Sequence, residues 1–287
     1  MAMKTNRIGL EVMPYRGGKT TLCAGCGHNA ISERIIDAFF EMGVEPSQVI
    51  KLSGIGCSSK SPAYFLGGSH GFNTVHGRMP SIGTGAMLAN KKLIAIGISG
   101  DGDTGAIGIG QFVHLMRRNL PIIYIIEDNG CYGLTKGQFS PTSPLGLEAG
   151  STPYGSAEEP LNPLALTIAY GATFVARGYS GKPKELTDLI VRGIQHKGFA
   201  FIDVISPCIT YYNTYKTIPQ QIAPVPATHD VSNPVEAFKL AHDTSRMYLG
   251  LFYQTTKPTY EERLLANVAK AEAAGIPRLD EIMAEFV

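Results

Sequence analysis

The residues Leu93–Glu127, LIAIGISGDGDTGAIGIGQFVHLMRRNLPIIYIIE, decide the fold of this chain. The apolar run Leu93–Ser99 predicts a buried strand, and the run Pro121–Glu127 predicts a second one. Between them lie the glycine loop GDGDTG and a segment, Ala106–Arg118, that predicts a helix. Two buried strands joined by a helical crossover indicate a parallel sheet, in which ligands bind at the carboxyl ends of the strands.

The segments on either side extend this α/β pattern. Further strands are predicted at Val49–Ser53 and Ala200–Ile205, and further helices at His28–Met42, Pro80–Asn90, Asn162–Gly171 and Lys184–Lys197. The polar stretch GGSHGFNTVHGRMP predicts a site loop, and the Gly-, Pro- and Ser-rich residues 130–163 predict a lid. We therefore expect an α/β domain over residues 1–209, with helices flanking a parallel sheet. Residues 210–287 are expected to form a C-terminal extension, irregular and then helical, that wraps the core or a partner.

Composition excludes several classes of protein. The 287 residues carry 25 Lys plus Arg and 24 Asp plus Glu, a net charge of +1 that argues against a dedicated nucleic-acid binder. The 44% hydrophobic content excludes disorder, and no apolar run reaches the ~20 residues of a membrane span. The first residues lack a long apolar segment typical of a signal peptide, so the sequence predicts a cytoplasmic protein without membrane contact. A charged fraction of 17% suggests that much of the surface is buried against other subunits.

The glycine loop Gly100–Gly105 matches the G-x-G-x-x-G pattern, follows a strand and opens a helix. An acid, Glu127 or Asp128, lies about 22 residues further on, as in the NAD-binding fingerprint. Two aspartates in the loop, Asp101 and Asp103, argue against a bare dinucleotide. At about 4 Å a carboxylate repels a pyrophosphate oxygen by roughly 4 kcal/mol at an effective dielectric of ~20.

A divalent cation reverses the sign of that interaction. Asp101 then becomes a metal ligand, and the metal bridges to a diphosphate. Asn129, at the end of the neighbouring strand, offers a neutral oxygen where a second ligand is needed. Mg²⁺ prefers octahedral oxygen ligands and takes some of them from phosphates, so the loop predicts a magnesium–diphosphate site.

Five cysteines suggest metal or redox chemistry in a cytoplasmic chain. Cys23 and Cys26 form a C-x-x-C pair, whereas Cys57 and Cys208 stand alone in loops beside glycine or proline. A thioredoxin-like pair would use the C-x-x-C alone, and a zinc site would more often show two such pairs. One pair with two single cysteines suits a [4Fe–4S] cluster, slightly ahead of zinc. The fifth cysteine, Cys131, is interpreted as a structural thiol.

Together these motifs carry a family resemblance. Gly-Asp-Gly followed about 27 residues later by Asn looks like the thiamine diphosphate motif. The motifs that match are CAGCGHNAI, SGIGCSSKSP, VHGRMPSIGTGAMLAN, GDGDTGAIGIGQFVHLMRRN, DNGCYGLTKGQFSPTS and SPC. From about residue 15 to 215 the chain strongly resembles the β subunit of 2-oxoacid:ferredoxin oxidoreductases, and among these the 2-oxoglutarate and general 2-oxoacid types.

The resemblance implies a thiamine diphosphate-binding fold and assigns roles to individual residues. It implies that Cys23, Cys26, Cys57 and Cys208 bind a [4Fe–4S] cluster. Mg²⁺ would be bound by the side chains of Asp101 and Asn129 and by the backbone carbonyl of Cys131. The remaining cofactor-binding positions expected are Gly100, Gly102, Asp103, Gly133 and Leu134. Lys60 and Lys136 would face substrate carboxylates, and His76 and Arg78 would line the diphosphate or substrate pocket. Solvated lysines and a structural loop histidine are the competing interpretations.

The reaction that the resemblance implies is the coenzyme A-dependent oxidative decarboxylation of a 2-oxoacid, with electrons passed through the cluster to ferredoxin. With a low-potential donor the same reaction runs in reverse as CO₂ fixation. Two lysines favour 2-oxoglutarate, with succinyl-CoA as product, over pyruvate or a broad range of 2-oxoacids. Two other classes stay open: a metal-stabilised NAD-binding oxidoreductase with a zinc site, and an electron-transfer module that carries a cluster alone.

The sequence contains one diphosphate unit and no second α/β domain. Thiamine diphosphate is normally held between two domains, one of which supplies a glutamate to the aminopyrimidine. We therefore expect a larger α subunit that provides this glutamate, in an α₂β₂ assembly. Glu127 lies at the diphosphate end and is not expected to reach the pyrimidine ring.

Overall fold

The computed structural model describes residues 5–275, 277 and 279–286 and contains one large sheet of eight strands. Its order is β2-β1-β3-β4-β8-β7-β10-β9. The strands are β1 (Val49–Ser53), β2 (His70–Asn73), β3 (Ile94–Gly100), β4 (Ile122–Asp128), β7 (Phe174–Tyr179), β8 (Ala200–Ile205), β9 (Ile222–Pro224) and β10 (Met247–Gln254). Neighbouring strands are parallel except β7 and β10, which pair antiparallel. A short antiparallel ribbon, β5 (Cys131–Tyr132) with β6 (Gln138–Phe139), stands outside the sheet.

The described helices pack on both faces of the sheet or follow it at the C-terminus. They are α1 (Gly27–Met42), α2 (Met79–Ala89), α3 (Ile109–Arg118), α4 (Pro163–Ala169), α5 (Pro183–Gln195), α6 (Ile218–Gln221), α7 (Pro234–His242), α8 (Tyr260–Ala274) and α9 (Leu279–Ala284). None of these described helices is both long and apolar enough to cross a membrane.

Alternation of side chains along the strands divides the core into two layers. Ile123 and Ile125 of β4 point to the layer that contains α1 and α5. Ile122, Tyr124 and Ile126 of the same strand point to the layer that contains α2, α3, α4 and α7. Because successive side chains of a strand face opposite sides, a continuous apolar run is what a strand buried on both faces requires. The predicted α/β class with a parallel sheet between helices is confirmed.

Several local predictions differ from the structure. The helix expected to start at Ala106 begins instead as a π-helical turn over Asp103–Ile107, and regular α-helix starts at Ile109. The stretch expected to be only a loop contains the edge strand β2. The exposed polar and glycine residues of β2 give no strand pattern in the sequence. An edge strand can form from backbone hydrogen bonds without a buried face.

The C-terminal segment differs in the same way. Residues 210–287 were expected to be irregular and helical, yet they also contain β9 and β10, which join the main sheet. The β10 sequence MYLGLFYQ is apolar, and its residues Leu251–Tyr253 are buried. The division at residue 209 stays a prediction, while the C-terminal segment extends the sheet rather than only wrapping it.

Candidate functional site

The carboxyl ends of β3 and β4 lie side by side and carry the predicted acidic residues. Gly100 of β3 pairs with Glu127 of β4, so the residues that follow each strand meet at one edge of the sheet. A cleft of about 100 Å³ opens there. Its lining includes predicted site residues from four segments: Cys57, His76, Gly100, Asp101, Gly102, Asp103, Asn129, Cys131, Gly133 and Leu134. The structure therefore brings together most of the residues that the sequence singled out.

Gly102 is required by the close approach of the lid to the glycine loop. The Tyr132 hydroxyl donates to the Gly102 carbonyl at 3.1 Å, and a Cβ on Gly102 would collide with the Tyr132 ring. A side chain at this position would push Tyr132, and with it the start of the 130–163 segment, away from the loop.

Asp101 is buried at the centre of this edge and is held by two hydroxyl groups. Ser140 and Thr142 both donate to its Oδ2 atom, Thr142 at 2.8 Å. The same Thr142 hydroxyl lies 2.7 Å from Oδ1 of Asp128, which is also buried. One hydroxyl has one proton, so it can donate to only one of the two carboxyl groups at a time. The lid segment thus clamps two carboxyl groups that stand close together in a buried place.

Ionising the buried carboxyl groups of Asp101 and Asp128 costs free energy when no cation lies beside them. Burial raises the pKa of Asp101, and the Ser140 and Thr142 hydroxyls oppose that rise. Burial raises the pKa of Asp128 well above its usual value, and the charges of Asp101 and Asp203 raise it further. A divalent cation against Asp101 would favour its ionised form, which is the electrostatic setting of a metal ligand.

Asp103 is already engaged by the protein. It accepts hydrogen bonds from the backbone amides of Ile55 at 3.1 Å and Gly77 at 2.8 Å, and from Ser99 Oγ at 2.7 Å. His76 Nδ1 lies 2.6 Å from its Oδ1 atom. Asp103 therefore joins the β1 loop, the β2–α2 loop and the glycine loop, and fixes the floor of the cleft.

The Asn129 amide has a defined orientation. Its Oδ1 atom accepts from the Cys131 backbone amide at 3.0 Å, and its Nδ2 atom lies 3.4 Å from His28 Nε2. A carbonyl oxygen has two lone pairs, so Oδ1 retains acceptor capacity for a cation.

A buried pair, His28 and Glu127, was not identified as a unit from the sequence. His28 Nδ1 lies 2.7 Å from Ser206 Oγ and 3.4 Å from Glu127 Oε2, which accepts from Ser61 Oγ at 2.9 Å. Within the described chain Glu127 Oε1 has no hydrogen-bond partner, although it is buried. Burial lowers the pKa of His28 to about 4 and raises that of Glu127. The signal that could have identified His28 is its place directly after C-x-x-C-G.

The four predicted cluster cysteines lie on loops that converge beside the cleft. A Cβ on Gly133 would lie 3.5 Å from Cys57 Sγ and 3.7 Å from Cys208 Sγ, so these two thiols face the same point. Thr210 Oγ1, on the Cys208 loop, lies 3.5 Å from Cys23 Sγ. The Gly27 amide donates to the Pro207 carbonyl at 3.2 Å, which joins the C-x-x-C segment to the same loop.

The thiols have different proton affinities. Burial raises the pKa of Cys26 to about 12 and also raises that of Cys57. A hydrogen bond from Cys131 lowers the pKa of Cys208 to about 5, and the backbone amides of residues 210–212 add to this effect. Among residues 5–275, 277 and 279–286, no three His, Cys, Asp or Glu side chains are grouped so as to hold one metal ion.

Of the four predicted substrate residues, only one lines the cleft in the described chain. His76 lines the cleft, whereas Lys60, Arg78 and Lys136 are not among its lining residues in the described chain. Arg78 donates to the Ile107 carbonyl at 3.2 Å. Lys60 is half-exposed and acts electrostatically on Cys57, and Lys136 is exposed with a left-handed φ of 76°.

Lys51 is a buried cation that sequence reasoning missed. Its Nζ atom donates to the carbonyls of Pro62 and Phe65 at 2.7 Å and of Leu66 at 3.0 Å. Burial lowers its pKa to about 8. These bonds tie the end of the Cys57 loop to β1, so Lys51 positions that loop.

Two family models match this chain. The thiamine pyrophosphate enzyme C-terminal domain, described as TPP-binding, matches residues 54–204. The C-terminal part of the pyruvate ferredoxin oxidoreductase β subunit matches residues 208–267. The predicted thiamine diphosphate-binding fold is confirmed, and the NAD-binding interpretation of the glycine loop is set aside.

Relatives of known identity agree with the family models. The chain is 43% identical over 260 residues to a 2-oxoacid:ferredoxin oxidoreductase β subunit of a Sulfolobus species, covering 85% of each chain. It is 35% identical to the 2-oxoglutarate synthase subunit KorB of Methanocaldococcus jannaschii, covering 88% of this chain and 93% of the relative. A solved 2-oxoglutarate:ferredoxin oxidoreductase from Magnetococcus marinus, with 2-oxoglutarate, coenzyme A and succinyl-CoA bound, superimposes with a TM-score of 0.90. That match has 35% identity and covers 100% of this chain and 97% of the other.

Proposed function

The chain belongs to the family of 2-oxoacid:ferredoxin oxidoreductase β subunits, and we propose that it binds thiamine diphosphate through Mg²⁺ at the ends of β3 and β4. We also propose that it carries a [4Fe–4S] cluster on Cys23, Cys26, Cys57 and Cys208. The observation that carries the proposal is the meeting of Asp101 and Asn129 at adjoining strand ends, next to the converging cysteine loops.

The residues at the strand ends fit Mg²⁺. Asp101 supplies a carboxylate whose Oδ2 atom is fixed by Ser140 and Thr142, and Asn129 supplies an amide oxygen aimed by His28. The backbone carbonyl of Cys131 is the third protein ligand in the proposal. Oxygen ligands of this kind, completed by phosphate oxygens, are what Mg²⁺ prefers. Gly100, Gly102, Gly133 and Leu134 would contact the cofactor, and Asp103 would hold the surrounding loops.

The cysteine loops fit an iron–sulfur cluster better than zinc. A zinc site more often has two C-x-x-C pairs, whereas this chain has one such pair, Cys23 and Cys26, and two single cysteines, Cys57 and Cys208. A [4Fe–4S] cluster binds each thiolate to its own iron and tolerates a wider spacing. Cys57 and Cys208 face the same point beside Gly133, and the Thr210 hydroxyl on the Cys208 loop lies 3.5 Å from Cys23 Sγ, so contacts between the loops bring these thiols into one region.

The substrate that we propose is 2-oxoglutarate, converted with coenzyme A to succinyl-CoA and CO₂ while ferredoxin is reduced. Bound thiamine diphosphate would supply the group that makes decarboxylation of the 2-oxoacid feasible. Lys60 and Lys136 would bind substrate carboxylates, and His76 and Arg78 would line the pocket. Pyruvate or a broad range of 2-oxoacids is the second candidate, favoured by the general 2-oxoacid names of several relatives.

A larger α subunit would complete the site. In this proposal the cleft on this chain binds the diphosphate, and the partner supplies the aminopyrimidine-side glutamate in an α₂β₂ complex. Apolar side chains that line the cleft are exposed, among them Ile55 and Leu134. The cytoplasmic location stays a prediction of the sequence.

The test compares this chain alone with the chain co-expressed with its companion subunit under anaerobic conditions. The complex is expected to reduce ferredoxin in a reaction that depends on 2-oxoglutarate and coenzyme A, and the chain alone is expected to be inactive. Turnover by the isolated chain would refute the need for a partner. A complex that turns over pyruvate but not 2-oxoglutarate would move the substrate to the second candidate.

A further inference from the structure

Four loop segments near the cysteines share an unusual charge pattern. They are residues 17–26, 54–63, 131–140 and 206–217, and together they contain all five cysteines. Each segment has one lysine and no arginine, and none contains an aspartate or a glutamate, although the chain has 24 acids. The surroundings of the proposed cluster therefore have a positive charge that is not balanced within these loops.

Contacts among the loops place this charge on one surface. The Tyr215 hydroxyl donates to the Gly25 carbonyl at 2.7 Å, which holds the 206–217 segment against the C-x-x-C segment. Thr210 lies against Cys23, and the Lys136–Gly137 turn packs on Tyr211. Cys23 is exposed, so the proposed cluster has one ligand that reaches the protein surface.

Two lysines on this surface have no role in the proposed chemistry. Lys19, four residues before Cys23, and Lys216, next to Tyr215, are both exposed. Within the described chain neither forms an ion pair, in contrast to Arg16, which pairs with Glu33 at 2.9 Å. Exposed tyrosine and isoleucine side chains, Tyr211 and Ile209, lie between these loops and the solvent.

We propose that Lys19, on the segment that contains Cys23, and Lys216, on the segment that packs against it, form the docking surface for an acidic one-electron carrier. The inference rests on the proposed function, and it commits to ferredoxin as the occupant because the family reduces ferredoxin. When the two proteins dock, one electron leaves the cluster of this chain and enters the cluster of ferredoxin. Positive groups around the exposed edge attract an acidic carrier, and the apolar centre of the patch allows close contact.

The experiment uses the complete complex with Lys19→Glu and Lys216→Glu, singly and together. Ferredoxin affinity is measured by calorimetry at low and high salt, and ferredoxin reduction is compared with reduction of methyl viologen. The double variant is expected to bind ferredoxin on the order of ten-fold more weakly at low salt and to lose most of the salt dependence. The ratio of the ferredoxin rate to the viologen rate should fall by a similar factor.

Lys92→Glu is the matched control. Lys92 is exposed and precedes the amino end of β3, whereas the proposed sites lie at the carboxyl ends of the strands. Reversing the charge at Lys92 should therefore leave ferredoxin affinity unchanged. Equal ferredoxin affinity in the wild type and the double variant would overturn the inference. Protection of Lys19 and Lys216 from amine acylation in the complex without ferredoxin would assign this surface to the companion subunit and would also overturn it. Failure of the proposed function gives a different result, because the wild-type complex would then reduce neither viologen nor ferredoxin.

Discussion

The two proposed cofactor sites of this chain are built in different ways. The site at the ends of β3 and β4 stands on neighbouring strands of the sheet, and its carboxyl groups are buried and clamped by hydroxyl groups. The cysteine site stands on loops, has one exposed thiol, and is tied together by single contacts such as those of Thr210 and Tyr215. The strand-end site is held in place by the fold, whereas the cysteine site should become ordered only when the cluster binds.

This difference predicts that Mg²⁺ binding at the strand ends does not depend on the iron–sulfur cluster. The strand-end ligands are held in place without metal, so loss of the cluster should leave Mg²⁺ binding intact. The cysteine loops have few bonds of their own and should gain order from the cluster, because binding energy at such sites contributes to folding.

The largest effect is expected for Asp101→Ala. It removes the charged ligand at the strand ends, and Mg²⁺-dependent retention of thiamine diphosphate should be lost. The iron content should stay near that of the wild type, since the two sites share no ligand. Both quantities are measured on purified complex by metal analysis and cofactor extraction, with the exposed Asp188→Ala as control. Retention that survives in Asp101→Ala would show that the metal assignment is wrong.

Cys57→Ser and Cys208→Ser test the other site. Either change should remove or destabilise the cluster, seen as loss of visible absorption and iron, while thiamine diphosphate is retained. Cys131→Ser is the matched control, because Cys131 is buried beside Cys208 but is not assigned as a thiolate ligand. Normal iron in Cys57→Ser, or loss of iron in Cys131→Ser, would contradict the ligand set.

A smaller effect is expected for Lys60→Ala and Lys136→Ala, which test the proposed substrate residues. If Lys60 or Lys136 binds the distal carboxylate, its change to Ala should raise the KM for 2-oxoglutarate more than the KM for pyruvate. A hydrogen bond to a charged group contributes roughly 1.5–3 kcal/mol, so the difference should be about ten-fold or more. Equal effects on the two substrates would assign these lysines to the shared carboxylate or to a structural role.

The last effect is expected on folding stability rather than on activity, and it concerns His28. Its pKa is about 4 in the folded chain, below the ordinary 6.5, because burial disfavours the charged form. The unfolded chain therefore takes up the proton first as the pH falls. Above pH 6.5 His28 is neutral in both the folded and the unfolded chain. As the pH falls from 6.5 to 4, the free energy of unfolding should decrease by about 3 kcal/mol.

Chemical unfolding of the wild type and His28→Gln between pH 7 and pH 4 measures this contribution. Glu127 is present in both chains, so its own titration largely cancels in the difference. The two stability curves should converge as the pH falls, and parallel curves would contradict a neutral buried His28.

The strand-end site was easier to predict than the rest of the molecule. Apolar runs and the G-D-G…N spacing are local signals, and they identified β3, β4 and the residues that line the cleft. Strands β2, at one edge of the sheet, and β10, between β7 and β9, were missed because the strands they pair with are distant in the sequence. Lys51 and the His28–Glu127 pair were missed for a similar reason, since their partners lie on other loops and strands.

The central claim is that one chain holds both a magnesium–diphosphate site and an iron–sulfur site. The most direct measurement is the metal content and visible spectrum of this chain purified anaerobically without its companion. We predict a brown protein with about four irons and four sulfides per chain, as a Cys₄-bound cubane requires. Stoichiometric zinc without iron, in a colourless protein, would contradict the account.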